Sequence, residues 1–333
     1  MVHQEQHTPP QASQQNEIII QHAPVMDARR STAFYLLTLH TPERTSQQCT
    51  RGLLEITHSL ARIQRRLLIQ FAGVESMKEG RPGSLPPNVE VLDPGALTPD
   101  GFWYHGRKLS SWWEYAPAYE APRKRELAPT EGTVIRVLNL IRRNENLGVI
   151  SHTVKQDPGL LHGLLRYINS AKVAFNNVYG GFRSIEQIIM YMGYREFAKW
   201  LSLYLLHSSV EGKMPVLYLA SIVRAQIMEI LAKPAGFPQK QHDEIFITGI
   251  FSLLDEITGV PMEVILLSLE LDDAIKAALL ERKGQYAPLL QLACASENGT
   301  LEELAARRAE LGVSVSETNL AILKGIQFAT DFD

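Results

Sequence analysis

Cysteine is scarce in this chain: Cys49 and Cys294 are the only two, and they lie far apart. So few thiols exclude the disulfide framework that staples small secreted domains, and they exclude a structural zinc held through thiolates. An excess of charge of either sign is also missing. Lys plus Arg number 33 against 36 for Asp plus Glu, a formal net charge of -3. Binding to nucleic acid through bulk charge needs a concentrated basic surface and is not expected, although a local basic patch stays open. No apolar run approaches the ~20 residues that span a bilayer, and the stretch at 245–254 is interrupted by polar side chains. The opening MVHQEQHTPPQASQQ has no apolar stretch of the kind a secretory signal carries. Together these absences predict a cytoplasmic protein with neither nucleic acid nor membrane as partner. What is present is an ordinary globular balance, 45% hydrophobic and 21% charged, with enough apolar mass for a sizeable core. A length of 333 residues fits two domains on a soft prior of roughly 100–200 residues each.

Residues 1–16 are rich in Gln, His and Pro without periodicity and read as a disordered leader. Strands are predicted at 17–20, 32–40, 67–71 and 89–92, with a helix at 47–62 carrying Leu53, Leu54, Ile56 and Leu60. Residues 80–125 change texture. Gly and Pro punctuate them, and Trp103, Tyr104, Trp112, Trp113, Tyr115 and Tyr119 crowd in. Such rings cover an exposed sheet edge, dock the two halves together, or form an aromatic platform for a ligand. The run Arg123-Lys124-Arg125 between prolines reads as a solvated linker at 123–129. From Thr130 almost everything has helical spacing, up to about residue 328. Ser184 with Gln187, and Thr300 with Glu303, form capping boxes, and Gly193 is placed to close a helix.

Catalytic signatures are wanting. There is no Gly-x-Ser-x-Gly, no phosphate-cradling Gly-rich loop and no dinucleotide fingerprint. In the helical half His152, Asp157, His162, His207, His242 and Asp243 are the metal-ligand types. A helical metal site needs two ligands one turn apart on one face, and His152 and His162 have no such partner. His242-Asp243 follows a polar stretch at the start of a helix, where Asp suits the positive end of the dipole, so a capping role is expected. No metal ligand, catalytic residue or cofactor is predicted from these residues.

The blocks Val149-Ile150-Ser151, Lys155-Gln156-Asp157-Pro158-Gly159-Leu160 and Leu164-Leu165-Arg166-Tyr167-Ile168-Asn169-Ser170 resemble the signature of HDOD domains. Ser184-Ile185, Met192-Gly193, Trp200-Leu201-Ser202-Leu203, Arg224-Ala225, Glu229-Ile230-Leu231-Ala232 and the run at 249–255 follow in the same order. The likeness covers roughly residues 128–298. HDOD domains share the fold of HD-type phosphohydrolases without their metal ligands, and the resemblance puts Ser252 and Leu253 where those ligands would stand. It implies an all-α domain that binds other signalling proteins. The loop at 169–182, with Asn169, Asn176, Asn177 and Tyr179, is its candidate contact surface, with a plain solvated connector as the other reading.

The segment at 18–27 and Ala33-Phe34-Tyr35-Leu36-Leu37 resemble the opening of EAL domains, which are found fused to HDOD domains in bacterial signalling proteins. EAL domains are (β/α)₈ barrels that hydrolyse cyclic di-GMP with metal-bound carboxylates and an Asn. On this resemblance Tyr35 takes the place of the motif's Glu and Gln70 that of the Asn, with Glu90 as a weak echo of a later acidic strand. Such a barrel needs about 200 residues, and only about 110 precede the linker. The expected architecture is therefore α+β: a truncated, degenerate EAL-like α/β region at 17–122 and an all-α HDOD-like bundle at 130–328. The expected function is a cytoplasmic signalling regulator without catalytic activity that acts through protein contacts of its HDOD-like part, with a link to cyclic di-GMP signalling and homodimerisation open. Two other readings stay beside it. One is a sensor that binds cyclic di-GMP or another nucleotide without turnover, through Arg29, Arg30, Arg65, Arg66 and the tryptophans. The other is residual HD-type hydrolysis through His152, His162, His242 or Asp243.

Overall fold

The chain was analysed as a computed structural model, which describes residues 18–26, 32–41, 45–72, 85–92, 97–98, 101–104, 107–111, 127–168, 182, 184–210 and 215–330. Alternating apolar side chains make the first strands. β1 (Ile19–Met26) pairs antiparallel with β2 (Thr32–His40), and α1 (Ser46–Ala61) then carries the chain back to β3 (Leu67–Phe71), parallel to β2. β4 (Val89–Val91) continues the parallel run beyond β3. β5 (Leu97–Thr98), β6 (Gly101–Tyr104) and β7 (Arg107–Ser111) form an antiparallel meander whose last strand joins β1 at Val25 and Met26. The order across the mixed sheet is β4-β3-β2-β1-β7-β6-β5.

The period of two sorts the strand side chains into two layers. Ile20, Tyr35, Leu37, Leu39, Leu67, Ile69 and Phe71 face one way and join the main core. Ala23, Val25, Phe34, Leu36, Leu68 and Leu92 face the other way and form a smaller cluster. Two expectations change here. β1 runs on to Met26, past the His22-Ala23-Pro24 interruption that hides its alternation. The Gly- and Pro-punctuated stretch beyond residue 92, for which no strand is predicted, holds β5, β6 and β7.

Helices α2 (Pro129–Arg142), α3 (Leu147–Lys155), α4 (Pro158–Ile168), α5 (Ile185–Val210) and α6 (Pro215–Ala232) open the larger part. α7 (His242–Phe251), α8 (Leu254–Thr258), α9 (Met262–Ser268), α10 (Asp273–Leu280), α11 (Ala287–Asn298), α12 (Leu301–Leu311) and α13 (Val315–Thr330) complete it. The described residues therefore make a mostly helical α+β fold. Asp157 Oδ1 accepts the Leu160 N–H at 2.9 Å, so the break before Pro158 is a helix start. Thr300 and Glu303 make the reciprocal capping box, and the Gln187 N–H reaches Ser184 Oγ at 3.2 Å. Gly193 sits at φ 77°, ψ 155°, outside the helical range, so α5 is two helical segments meeting at a kink and Gly193 closes the first of them, as expected.

α6 and α7 cross closely because Gly249 has no side chain. A Cβ there would lie 2.4 Å from the Ala225 Cα. The main core is continuous from Ile20, Tyr35 and Leu67 in the strands to Leu206, Val223, Ile250 and Ile326 in the helices. At the seam, α13 supplies Asn319 to the first strand. Its Oδ1 accepts the Ile20 N–H at 3.0 Å, and its Nδ2 donates to the Ile18 carbonyl at 2.5 Å. An exposed strand edge offers backbone groups to any partner, and this side-chain amide satisfies two of them.

Candidate functional site

The seam between strands and helices concentrates the buried polar chemistry. Arg224 comes from α6, where it interrupts an apolar run, and Glu297 from the last turn of α11. Both are buried, 4% exposed each, and they pair through two parallel N–H···O bonds of 2.8 Å. Arg224 Nη1 also reaches Ser252 Oγ at 3.3 Å. Burial opposes the Arg224 charge, but Cys294, Glu297 and the hydrogen bonds to Glu297 hold its pKa above the ordinary guanidinium value. His22 on β1 meets the same group: its Nε2 lies 3.4 Å from Ser296 Oγ, one residue before Glu297. Ser296 gives its own proton to the Ala293 carbonyl, which leaves His22 Nε2 as the donor. Burial outweighs the attraction of Glu297 and lowers the His22 pKa to about 4. Tyr35 is fully buried, and its hydroxyl has no hydrogen-bond partner among the described residues. Burial pushes its pKa up, against the pull of Arg65.

Ser252 and Leu253 are both buried, Ser252 against the Arg224 guanidinium and Leu253 at the entry to α8. Tyr35 and Gln70 do not meet. Tyr35 pairs with Leu67 and Gln70 with Thr38 in the β2–β3 register, an odd number of steps apart, so they lie on opposite faces of the sheet. Gln70 donates instead to Thr38 Oγ1 at 2.7 Å. Glu90 is held by Arg66 at 2.7 Å. A divalent cation needs convergent oxygen donors, and these three do not converge. Among the described residues no group of three or more His, Cys, Asp or Glu could hold a metal ion.

The remaining candidates have local roles. His152 lies beside Gln156 on its own helix, and His207 packs edge-on against Tyr218 at 5.7 Å. His242 is buried, with Nε2 3.2 Å from the Phe237 carbonyl. Asp243 stands in the first turn of α7, where its charge suits the dipole as expected, but its side chain makes no cap hydrogen bond. It binds Arg195 at 2.6 Å and lies 3.4 Å from Lys199, whose ammonium also pairs with Glu229 and sits over the Phe246 ring. A lysine thus occupies the place a cation would take beside this Asp. Arg65 ties the Thr32 carbonyl at 2.8 Å. Asn169, Asn176, Asn177 and Tyr179, like Arg29, Arg30, Trp112 and Trp113, lie outside the described residues, as do the leader and most of the linker. The Arg224–Glu297 pair was missed in the sequence, although a lone Arg inside Ile222-Val223-Arg224-Ala225 and a Glu closing an apolar helix are the signal that could have found it.

No helix among the described residues is long and apolar enough to cross a membrane. No protein-family profile matches the chain, and no solved structure matches it. Two curated proteins are similar. "Cyclic di-GMP phosphodiesterase CdgJ" of Vibrio cholerae is 26% identical over 185 residues, 55% of this chain and 42% of that protein. "Uncharacterized protein YuxH" of Bacillus subtilis is 27% identical over 162 residues, 46% of this chain and 37% of YuxH. The chain thus matches less than half the length of either relative. The first similarity corrects one expectation: the absence of catalytic activity is overturned by a relative named as a phosphodiesterase, which points to enzymatic activity.

Proposed function

We propose that this chain works in cyclic di-GMP signalling. The observation that carries the reading is the 185-residue similarity to a protein named for hydrolysing that nucleotide. The HDOD and EAL resemblances support it from independent blocks of sequence. On this reading the helical part, α2 to α13, contributes by docking another signalling protein. The sheet is fastened to it by Gln21, whose Nε2 donates to the Ala295 and Gly299 carbonyls at 3.2 and 2.8 Å, and by Asn319. Rigid attachment lets a change felt by one part bias the other. Tyr35, Gln70 and Glu90 form no convergent donor set, so no step on the nucleotide is assigned to them.

The test is direct. Purified full chain is incubated with cyclic di-GMP and magnesium or manganese, chromatography follows the linear dinucleotide, and calorimetry reads binding at tens of micromolar. Turnover or saturable heat is expected. Neither product nor heat would remove cyclic di-GMP from the reading.

A further inference from the structure

A second polar site lies beside the seam with the strands. Between the end of α10, α11 and the first turns of α12 is a pocket of about 380 Å³. Small-molecule sites occupy roughly 300–1,000 Å³, with a few placed polar groups setting orientation. Two guanidiniums, Arg282 and Arg307, line it from different elements. Arg282 follows α10 in a left-handed backbone conformation, φ 55°, which side chains other than glycine adopt at a cost. Gln291 of the same pocket holds that turn, its Nε2 donating to the Arg282 carbonyl at 3.0 Å.

The donors are available. Among the described residues the Arg282 guanidinium makes no hydrogen bond or close ion pair, its charge acting only at longer range on Asp255 and Cys294, and the Asn298 amide makes no hydrogen bond. Arg307 spends one N–H on Glu310 at 2.5 Å, and a guanidinium has five. The one carboxylate in the lining, Glu303, is engaged by the Thr300 N–H in the capping box. The wall also carries Cys294, and no aromatic ring is in the lining, so the pocket offers a nucleobase nothing to stack on.

We propose that this pocket binds a compact oxyanion, a phosphate or carboxylate on a short aliphatic body, between Arg282 and Arg307. Its back wall includes Ala295 and Gly299, whose carbonyls hold Gln21 of β1, so an occupied pocket would also brace the seam with the sheet.

Calorimetry on the full chain in phosphate-free buffer tests this, with inorganic phosphate, glycerol 3-phosphate and succinate as probes up to about 10 mM. At least one probe should give a saturable isotherm, and which one responds tells phosphate from carboxylate. Arg282→Gln and Arg307→Gln should each weaken it by about tenfold or more. Arg51→Gln on exposed α1 should leave it unchanged. Asn298→Asp, which puts negative charge at the pocket without removing an arginine, should weaken it as well. No saturable heat from any probe overturns the proposal, and so does binding that survives both arginine substitutions in variants whose melting temperatures match the parent.

Discussion

Asn319 does for β1 what a neighbouring strand would otherwise do, and its removal should be costly for its size. Asn319→Leu leaves the Ile20 N–H and the Ile18 carbonyl unmatched, and about 1–3 kcal/mol of stability should be lost in denaturant unfolding. The buried ion pair behaves differently from its surface counterparts. Arg224→Met alone strands the Glu297 carboxylate in the core and should cost about 3–5 kcal/mol, whereas the double change Arg224→Met with Glu297→Leu should cost much less. A double-mutant cycle of melting curves separates the two outcomes. His22 adds a pH dependence. Its folded pKa of about 4 lies below the ordinary 6.5, so the unfolded chain takes up the proton first. Stability is therefore complete above about pH 6.5 and falls toward pH 4, by about 3 kcal/mol at most. His22→Gln should flatten that limb, and an unchanged acid limb would count against burial as its cause. At this scale the caps were legible, because Thr300 and Glu303 stand three apart by a local rule. The ion pair and the Asn319 clamp were not, because both join residues 73 or more positions apart.

Among the elements, α6 and α7 are the pair whose packing tolerates least. Gly249→Ala places a methyl against the Ala225 backbone, which cannot swing aside as a side chain could. Overpacking of this kind costs about 1–3 kcal/mol, and thermal unfolding should report the upper part of that range. Strand β2 and the cores of α1, α3 and α4 could be read from periodicity, since their apolar positions repeat at 2 or 3.6. β5 to β7 could not, because strands of two to five residues carry too few repeats for any period to show. The kink in α5 is a stop signal that could be read: Gly193 takes a backbone conformation open to glycine, φ 77° and ψ 155°, and the helix breaks there. Phe197, Trp200 and Leu201 beyond it are buried, so the second segment is anchored by the core.

For the whole molecule, the decisive fact is that strands and helices share one core. Calorimetric unfolding of the full chain should show a single transition for both parts, and two separated transitions would contradict the shared core. Removing residues 1–126 takes away at least four hydrogen bonds at the seam as well as the apolar contacts of Ile20. At about 1 kcal/mol each, and 2–4 °C per kcal/mol for a unit of this size, the helical part should melt about 10 °C lower. The clamp on β1 also bears on how the chain is made. Ile20 and Asn319 are separated by 299 positions, and a ribosome adds about 5–20 residues per second. The first strand therefore emerges about 15–60 s before the amide that seals it, and through that interval its open edge is exposed to any other unfinished chain nearby.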